Sequence, residues 1–221
     1  MRIVTGFFTS IIDTENGFLN TLVIEEPRLF NSFVNELYSQ LSGRDGRITV
    51  SEKDKPCSFS KKVEIVDRLV PFEVNTKALL SKLNIYFEQN ALGPEYYEIG
   101  MQLLSEIEDY FNSMTMDLPC DVVFTKLNLG ALVKALGIEL RNDYHNLAEQ
   151  VLDYLELVRV LERDKLLVFL NLRSFVSDTD LEIVSKDIVA KGYHVLLVDS
   201  HSRRRIPLEN RITIDDDLCE I

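Results

Sequence analysis

A chain of 221 residues, 46% of them hydrophobic, is long enough to bury a core as one or two domains. Its formal charge of -12 excludes a protein that coats nucleic acid with its whole surface. A local basic lining stays open, because charges are screened beyond roughly 8 to 10 Å in physiological salt.

The three cysteines (Cys57, Cys120, Cys219) have neither disulfide nor metal spacing, which fits a reducing compartment. No apolar run approaches a membrane span, and no signal-like segment follows Met1-Arg2. The expectation is a soluble cytoplasmic protein with no membrane partner.

In chain order, residues 3–12 and 18–24 read as two strands, with Asn16-Gly17 supplying a hairpin turn between them. Pro27 suits the first turn of a helix, and Leu29, Phe30, Phe33, Val34, Leu37 and Leu41 give that helix one apolar face.

Residues 42–62 change character. Six basic residues (Arg44, Arg47, Lys53, Lys55, Lys61, Lys62) stand against three acidic ones (Asp45, Glu52, Asp54). Such a stretch is either a solvated loop or hairpin with ordinary surface lysines, or a phosphate-contacting edge. Only Phe59 interleaves these charges, so stacking on single-stranded bases is not indicated.

A short apolar segment, 63–71, reads as a strand or a short helix. Thr76 then caps a helix carrying Leu79, Leu80, Leu83, Tyr86 and Phe87. Gly93-Pro94 breaks the pattern before a longer helix with Tyr96, Ile99, Leu103, Leu104, Ile107, Phe111 and Met114. A break at Leu118-Pro119 precedes a helix over 127–136 that Gly137 closes, and a last helix runs over 143–163.

The clearest unit is the last. Leu166 to Leu170 is an unbroken apolar run, as in a strand buried on both faces of a parallel sheet. Ser177 and Asp180 offer a helix start, Leu181, Val184, Ile188 and Val189 an inner face, and Gly192 a left-handed stop. A second apolar run, Val195 to Val198, follows. Strand, helix, strand makes the class α/β with a mainly parallel sheet. The expected architecture is a discontinuous α/β head domain over 1–75 and 165–221, with an inserted α-helical leg domain over 76–164.

The usual enzyme patterns are missing. There is no phosphate loop of the Gly-x-x-x-x-Gly-Lys-Ser/Thr type, no Gly-x-Gly-x-x-Gly and no Gly-x-Ser-x-Gly. His145, His194 and His201 have no helical metal spacing. His194 reads as a structural histidine within a strand. His201, beside Asp199 and Arg203 to Arg205, is the better functional candidate. Asp117, Asp121, Glu139 and Asp143 flank the helix over 127–136, where they are capping and helix-dipole acids or oxygen ligands for a hard cation.

Four stretches carry a resemblance: Thr21-Leu-Val-Ile-Glu-Glu-Pro-Arg-Leu-Phe, Pro71-Phe-Glu-Val-Asn-Thr-Lys-Ala-Leu-Leu-Ser-Lys-Leu, Leu136-Gly-Ile-Glu-Leu, and Lys165-Leu-Leu-Val-Phe-Leu-Asn. Together they look like the Csn-two family, the small ring proteins of type II-A CRISPR-Cas adaptation modules. The match runs loosely over almost the whole chain and rests on scattered positions rather than a catalytic motif.

The resemblance implies a homotetrameric ring of α/β heads, similar to P-loop ATPase folds without the nucleotide site, and helical legs. It implies binding of double-stranded DNA ends in a lysine-lined channel, without catalysis, in spacer acquisition for antiviral defence. CRISPR integrase proteins and the effector nuclease are the implied partners. Carried onto this chain, the lining falls on Lys53, Lys55, Lys61 and Lys62, with Arg44 and Arg47 as further members.

Calcium is the implied metal. The carboxylate-rich stretch that would help hold it is thinned here: Asp117 and Asp121 remain, with Pro119-Cys120 and Val122-Val123 among them. Two readings of other classes stand beside this one: a divergent nucleotide hydrolase or metal-dependent nuclease using Asp199 and His201, and a protein adaptor docking through the helical leg.

Overall fold

The computed structural model describes residues 1–141, 146–162 and 164–221. The chain divides into two compact units, one of Met1–Glu73 with Tyr144–Ile221 and one of Val74–Asp143.

In the first unit the chain opens with β1 (Arg2–Thr5), β2 (Ile12–Asp13) and β3 (Leu19–Ile24), then α1 (Pro27–Leu41). There follow β4 (Ile48–Glu52), β5 (Lys55–Pro56), the one-turn α2 (Phe59–Lys62) and β6 (Val63–Val66). The second unit holds α3 (Lys77–Ala91), α4 (Tyr97–Ser113) and α5 (Leu129–Leu136). The chain then returns to the first unit with α6 (Leu147–Leu161), β7 (Leu166–Leu170), α7 (Asp178–Lys191), β8 (His194–Asp199) and β9 (Glu209–Ile214). A 3-10 turn, Leu172–Ser174, lies between β7 and α7.

Two sheets organise this unit. One has the order β6-β7-β8-β3-β9 with every neighbouring pair parallel. The other, β2-β1-β4-β5, is antiparallel. The class expected from the sequence, α/β with a mainly parallel sheet, is what the molecule has.

The N-terminal hairpin is not. Two short strands, paired Ile3 to Ile12, come out of the first stretch, and β3 leaves them for the interior of the parallel sheet, between β8 and β9. All six residues of β3 are buried. A strand with both faces covered gains more in the middle of a sheet walled by helices than in an edge hairpin. Gly17 still makes its turn, at φ +79°, where a side chain is disfavoured.

The core on one side of the parallel sheet joins Leu22, Ile24, Val168, Leu170, Leu196 and Val198 to Phe33 and Leu37 of α1 and to Ile3, Ile48 and Val50 of the antiparallel sheet. On the other face Leu167 lines a cavity together with Leu155 and Val158 of α6. The helix α6 therefore belongs to the sheet unit and not to the helical segment 76–164 in which the sequence pattern places it. Its Val151, Tyr154, Leu155 and Val158 are buried, Tyr154 donates to Glu64 of β6, and its ring meets Phe72 edge-on at 5.2 Å. Four large apolar side chains on one face dock where the most apolar surface is on offer.

The crossover β7–α7–β8 forms as read. Ser177 accepts from the Asp180 amide at 3.1 Å, and Gly192 ends the helix in the left-handed region. In the helical unit, Thr76 caps α3 by accepting from the Leu79 amide at 3.2 Å, and Asn128 caps α5. A side chain at Gly100 would meet Leu129 at 3.0 Å, so the glycine lets α4 and α5 approach. Among the described residues no helix is long and apolar enough to cross a membrane.

Candidate nucleic-acid interface

The basic segment folds as a hairpin followed by a single helical turn. Ile48 and Val50 point inward and Thr49 outward, so β4 lies with one face on the core. Lys53 and Asp54 both have positive φ, 50° and 61°, with Glu52 opposite Lys55, the arrangement of a two-residue type I′ turn. Gly or Asn suits these positions better, and a lysine there costs about 1 kcal/mol of backbone strain. The strained turn puts a cation at the tip.

Two of the three acids of this segment are engaged. Asp54 accepts from Arg2 at 2.7 Å, and Glu52 from Lys62 at 3.0 Å, so Lys62 holds the Glu52 carboxyl below its ordinary range. Lys62 also donates to the Asp164 carbonyl at 3.3 Å. Lys53, Lys55 and Lys61 are exposed, and among the described residues none has a carboxylate in ion-pair reach. Of the four lysines read as a lining, three are free cations and Lys62 is a structural one.

The two arginines differ. Arg44 is exposed in the turn after α1. Arg47 lays its guanidinium over the Phe7 ring at 3.9 Å, while its amide donates to Glu36 at 2.5 Å. The Phe7 loop is held in turn by Glu220, whose carboxylate accepts from the Thr9 amide, the Thr9 hydroxyl and the Ser10 amide at 2.6–2.9 Å. These bonds lower the Glu220 pKa to about 2. No local pattern signals this clasp, because its partners lie some two hundred positions apart.

Three of the four acids read as metal ligands lie among the described residues. Asp117, Asp121 and Glu139 are exposed, and Asp143 lies outside the described residues. Among the described residues no group of three or more His, Cys, Asp or Glu forms a metal-binding cluster. No step below runs through a metal.

A nucleotide enzyme places its phosphates at the carboxyl ends of parallel strands, and at β3 that position is already taken. From β3 the chain passes straight into α1, and the Glu26 carboxylate accepts from the Arg28 and Leu29 amides at 3.1 and 2.6 Å. A carboxylate thus occupies the helix N-terminus where a phosphate would sit. Asp199, at the end of β8, is only 3% exposed, and among the described residues neither of its oxygens has a hydrogen-bond partner. Burial pushes its pKa up to about 6, although the Arg173 side chain and amide beside it pull the other way. His201 bonds Ser200 at 2.9 Å and is exposed, so the two do not form an acid–histidine pair. His194 shares a 2.8 Å bond with Thr14, and burial lowers its pKa, as suits a structural histidine.

One constellation has no counterpart among the sequence motifs. Arg173 donates to Glu209 at 3.0 Å and to Asp178 at 3.1 Å, and Arg211 grips Glu209 with bonds of 2.8–2.9 Å. The Arg173 and Arg211 side chains are almost wholly buried and that of Glu209 completely so. Nothing in the spacing of these residues announces the contact.

A family model described as "CRISPR-associated protein (Cas_Csn2)" matches residues 40–218. The matched span contains the whole basic segment, the helical unit and the strands from β4 onward.

Proposed function

Because the chain belongs to the CRISPR-associated Csn2 family, we propose that it is a non-enzymatic protein that binds the ends of double-stranded DNA. In this reading four copies form a ring, linear duplex threads through it, and the complex serves spacer acquisition in antiviral defence in the cytoplasm. The CRISPR integrase proteins and the effector nuclease are its partners, and the subunit is built as a P-loop-ATPase-like head, without a nucleotide site, carrying a helical leg.

The observation that carries the proposal is the charge arrangement of the hairpin and α2. Lys53, Lys55 and Lys61 are exposed while the acids among them are bound by Arg2 and Lys62. A cluster of unpaired ammonium groups on an acidic protein attracts polyanions locally, and four copies around a pore multiply that field. Lysine contacts to phosphate position the duplex without reading its sequence.

Two further features support the reading. The Glu26 cap and the buried, histidine-free Asp199 offer no place for a transferred phosphate, which favours a scaffold over a hydrolase. The helical unit exposes large apolar side chains, Leu136 at 74% and Ile99 at 61%, beside a groove of about 480 Å³. Apolar surface of that extent is what subunit assembly covers.

A mobility-shift assay with linear and closed circular duplex of one sequence tests the proposal, with light scattering to read the mass. The expected result is that linear duplex is retained by a tetramer and circular duplex is not. Equal retention of the two forms overturns threading. Running both measurements with and without calcium shows whether assembly depends on the metal that the family resemblance carries.

A further inference from the structure

The loop from β8 to β9 presents a second basic surface. Arg203, Arg204 and Arg205 are all exposed, and residues 200–208 contain no carboxylate. The flanking acids are out of play, since Asp199 is buried and the Glu209 side chain is fully covered.

The backbone of this loop is held from beneath by the two buried arginines. Arg211 donates to the Arg203 carbonyl at 2.5 Å and to the Ser202 hydroxyl at 3.3 Å. Arg173 donates to the Arg204 carbonyl at 2.6 Å. The Ile206 amide donates to Glu209 at 3.0 Å, and the Ile206 side chain is buried.

Such a network is a poor device for stability alone, because desolvating charges offsets most of their attraction and apolar side chains of similar volume serve as well or better. What it does achieve is a fixed course for the backbone that carries three exposed arginines, of which Arg205 also donates to the Arg211 carbonyl at 3.4 Å. A rigid loop gives up little freedom on binding, and guanidinium pairs with phosphate through two parallel hydrogen bonds.

Its position separates it from the lysine segment. The loop feeds β9, the outer strand at one edge of the parallel sheet, whereas α2 with Lys61 feeds β6 at the other edge. The two edges lie roughly 19 Å apart, four strand spacings of about 4.8 Å.

We propose that the loop bearing Arg203, Arg204 and Arg205 is a second, pre-organised contact for the phosphodiester backbone of duplex DNA. The inference rests on the DNA-binding reading above, but it concerns a different surface and fails separately.

The test uses the full-length protein and fluorescence anisotropy of a labelled linear duplex across a salt series. Four proteins are compared: the wild type, Arg203→Ala with Arg204→Ala and Arg205→Ala, the same three arginines replaced by lysine, and Lys53→Ala with Lys55→Ala and Lys61→Ala. The arginine variant is expected to bind roughly tenfold or more weakly. Its slope of log K against log salt should be shallower by about 0.9 for each phosphate that the loop no longer neutralises. The triple lysine replacement Arg203→Lys, Arg204→Lys and Arg205→Lys restores part of the affinity.

Unchanged affinity and slope in a variant with wild-type melting overturn the inference. So does a fall from tetramer mass with an unchanged slope, which would make the loop a subunit contact. Weaker binding by the arginine variant alone, with the lysine variant unaffected, supports the inference and removes the lysine lining from the proposed function. A wild type that retains no duplex overturns both.

Discussion

Lys62 donates to Glu52 at 3.0 Å, and that ion pair gives two lysines adjacent in sequence different work. Lys61 is exposed and has no ion-pair partner among the described residues, while the Lys62 side chain is 29% exposed and tied to β4 and to the Asp164 carbonyl. Neutralising Lys61 should therefore weaken linear duplex binding and leave melting unchanged. Lys62→Ala should do the reverse, lowering stability by about 0.2–1 kcal/mol with little change in affinity. Paired denaturant melts and anisotropy titrations read the split. An equal drop in affinity from both would place Lys62 back in the lining.

The ring reading also sets a salt dependence. If each of four subunits neutralises about two phosphates, the slope of log K against log salt is roughly -7, at 0.9 per phosphate. A titration from roughly 50 to 300 mM salt measures it, a range over which phosphate-driven binding weakens steeply. A slope near roughly -2 would mean that one subunit at a time makes the contact.

Asp199 should make the protein less stable as pH rises. Its folded pKa is raised from 3.8 to about 6, chiefly by burial, with Arg173 and Arg203 acting against the shift and Glu209 reinforcing it. The folded state then holds the extra proton between those values, so the penalty is absent below about pH 4 and complete above about pH 6. At about 1.4 kcal/mol per pH unit, Asp199→Asn should raise stability at about pH 7–8 by up to about 3 kcal/mol and flatten that part of the profile. Urea melts at about pH 4.5 and about pH 7.5, on either side of the titration, check this. Lower stability of the variant at the higher pH would mean that the carboxylate is satisfied in solution.

The Glu220 clasp has the opposite sign. Its folded pKa is lowered from 4.5 to about 2, mainly by its bonds to Ser10 and Thr9. Its contribution is present above about pH 4.5 and fades as the pH falls toward about 2. Glu220→Gln should speed hydrogen exchange at the Thr9 and Ser10 amides at neutral pH while leaving the β7 and β8 amides unchanged. Unaltered exchange at Thr9 would show that the loop does not depend on the tail.

Much of the fold is legible from local signals. The crossover from β7 to β8 announces itself through an apolar run, a Ser177 cap and a Gly192 stop, and each of these acts within a few residues. The cap of α3 and the turn at Gly17 are equally local. What local signals misjudge has one property. The hairpin pairing expected of β3 gave way to β8 and β9, strands from the far end of the chain, and α6 chose its unit by docking a face rather than by its own pattern.

The candidate site divides along the same line. Sequence alone determined that residues 42–62 carry a basic surplus, that no phosphate loop exists, and that the chain resembles the CRISPR-associated Csn2 family, because composition and motif are properties of neighbours in the chain. Only the tertiary structure decided which charges remain available. Asp54 meets Arg2 and Arg173 meets Glu209 because folding brings distant segments within about 3 Å, where a charge is either cancelled or left for a ligand.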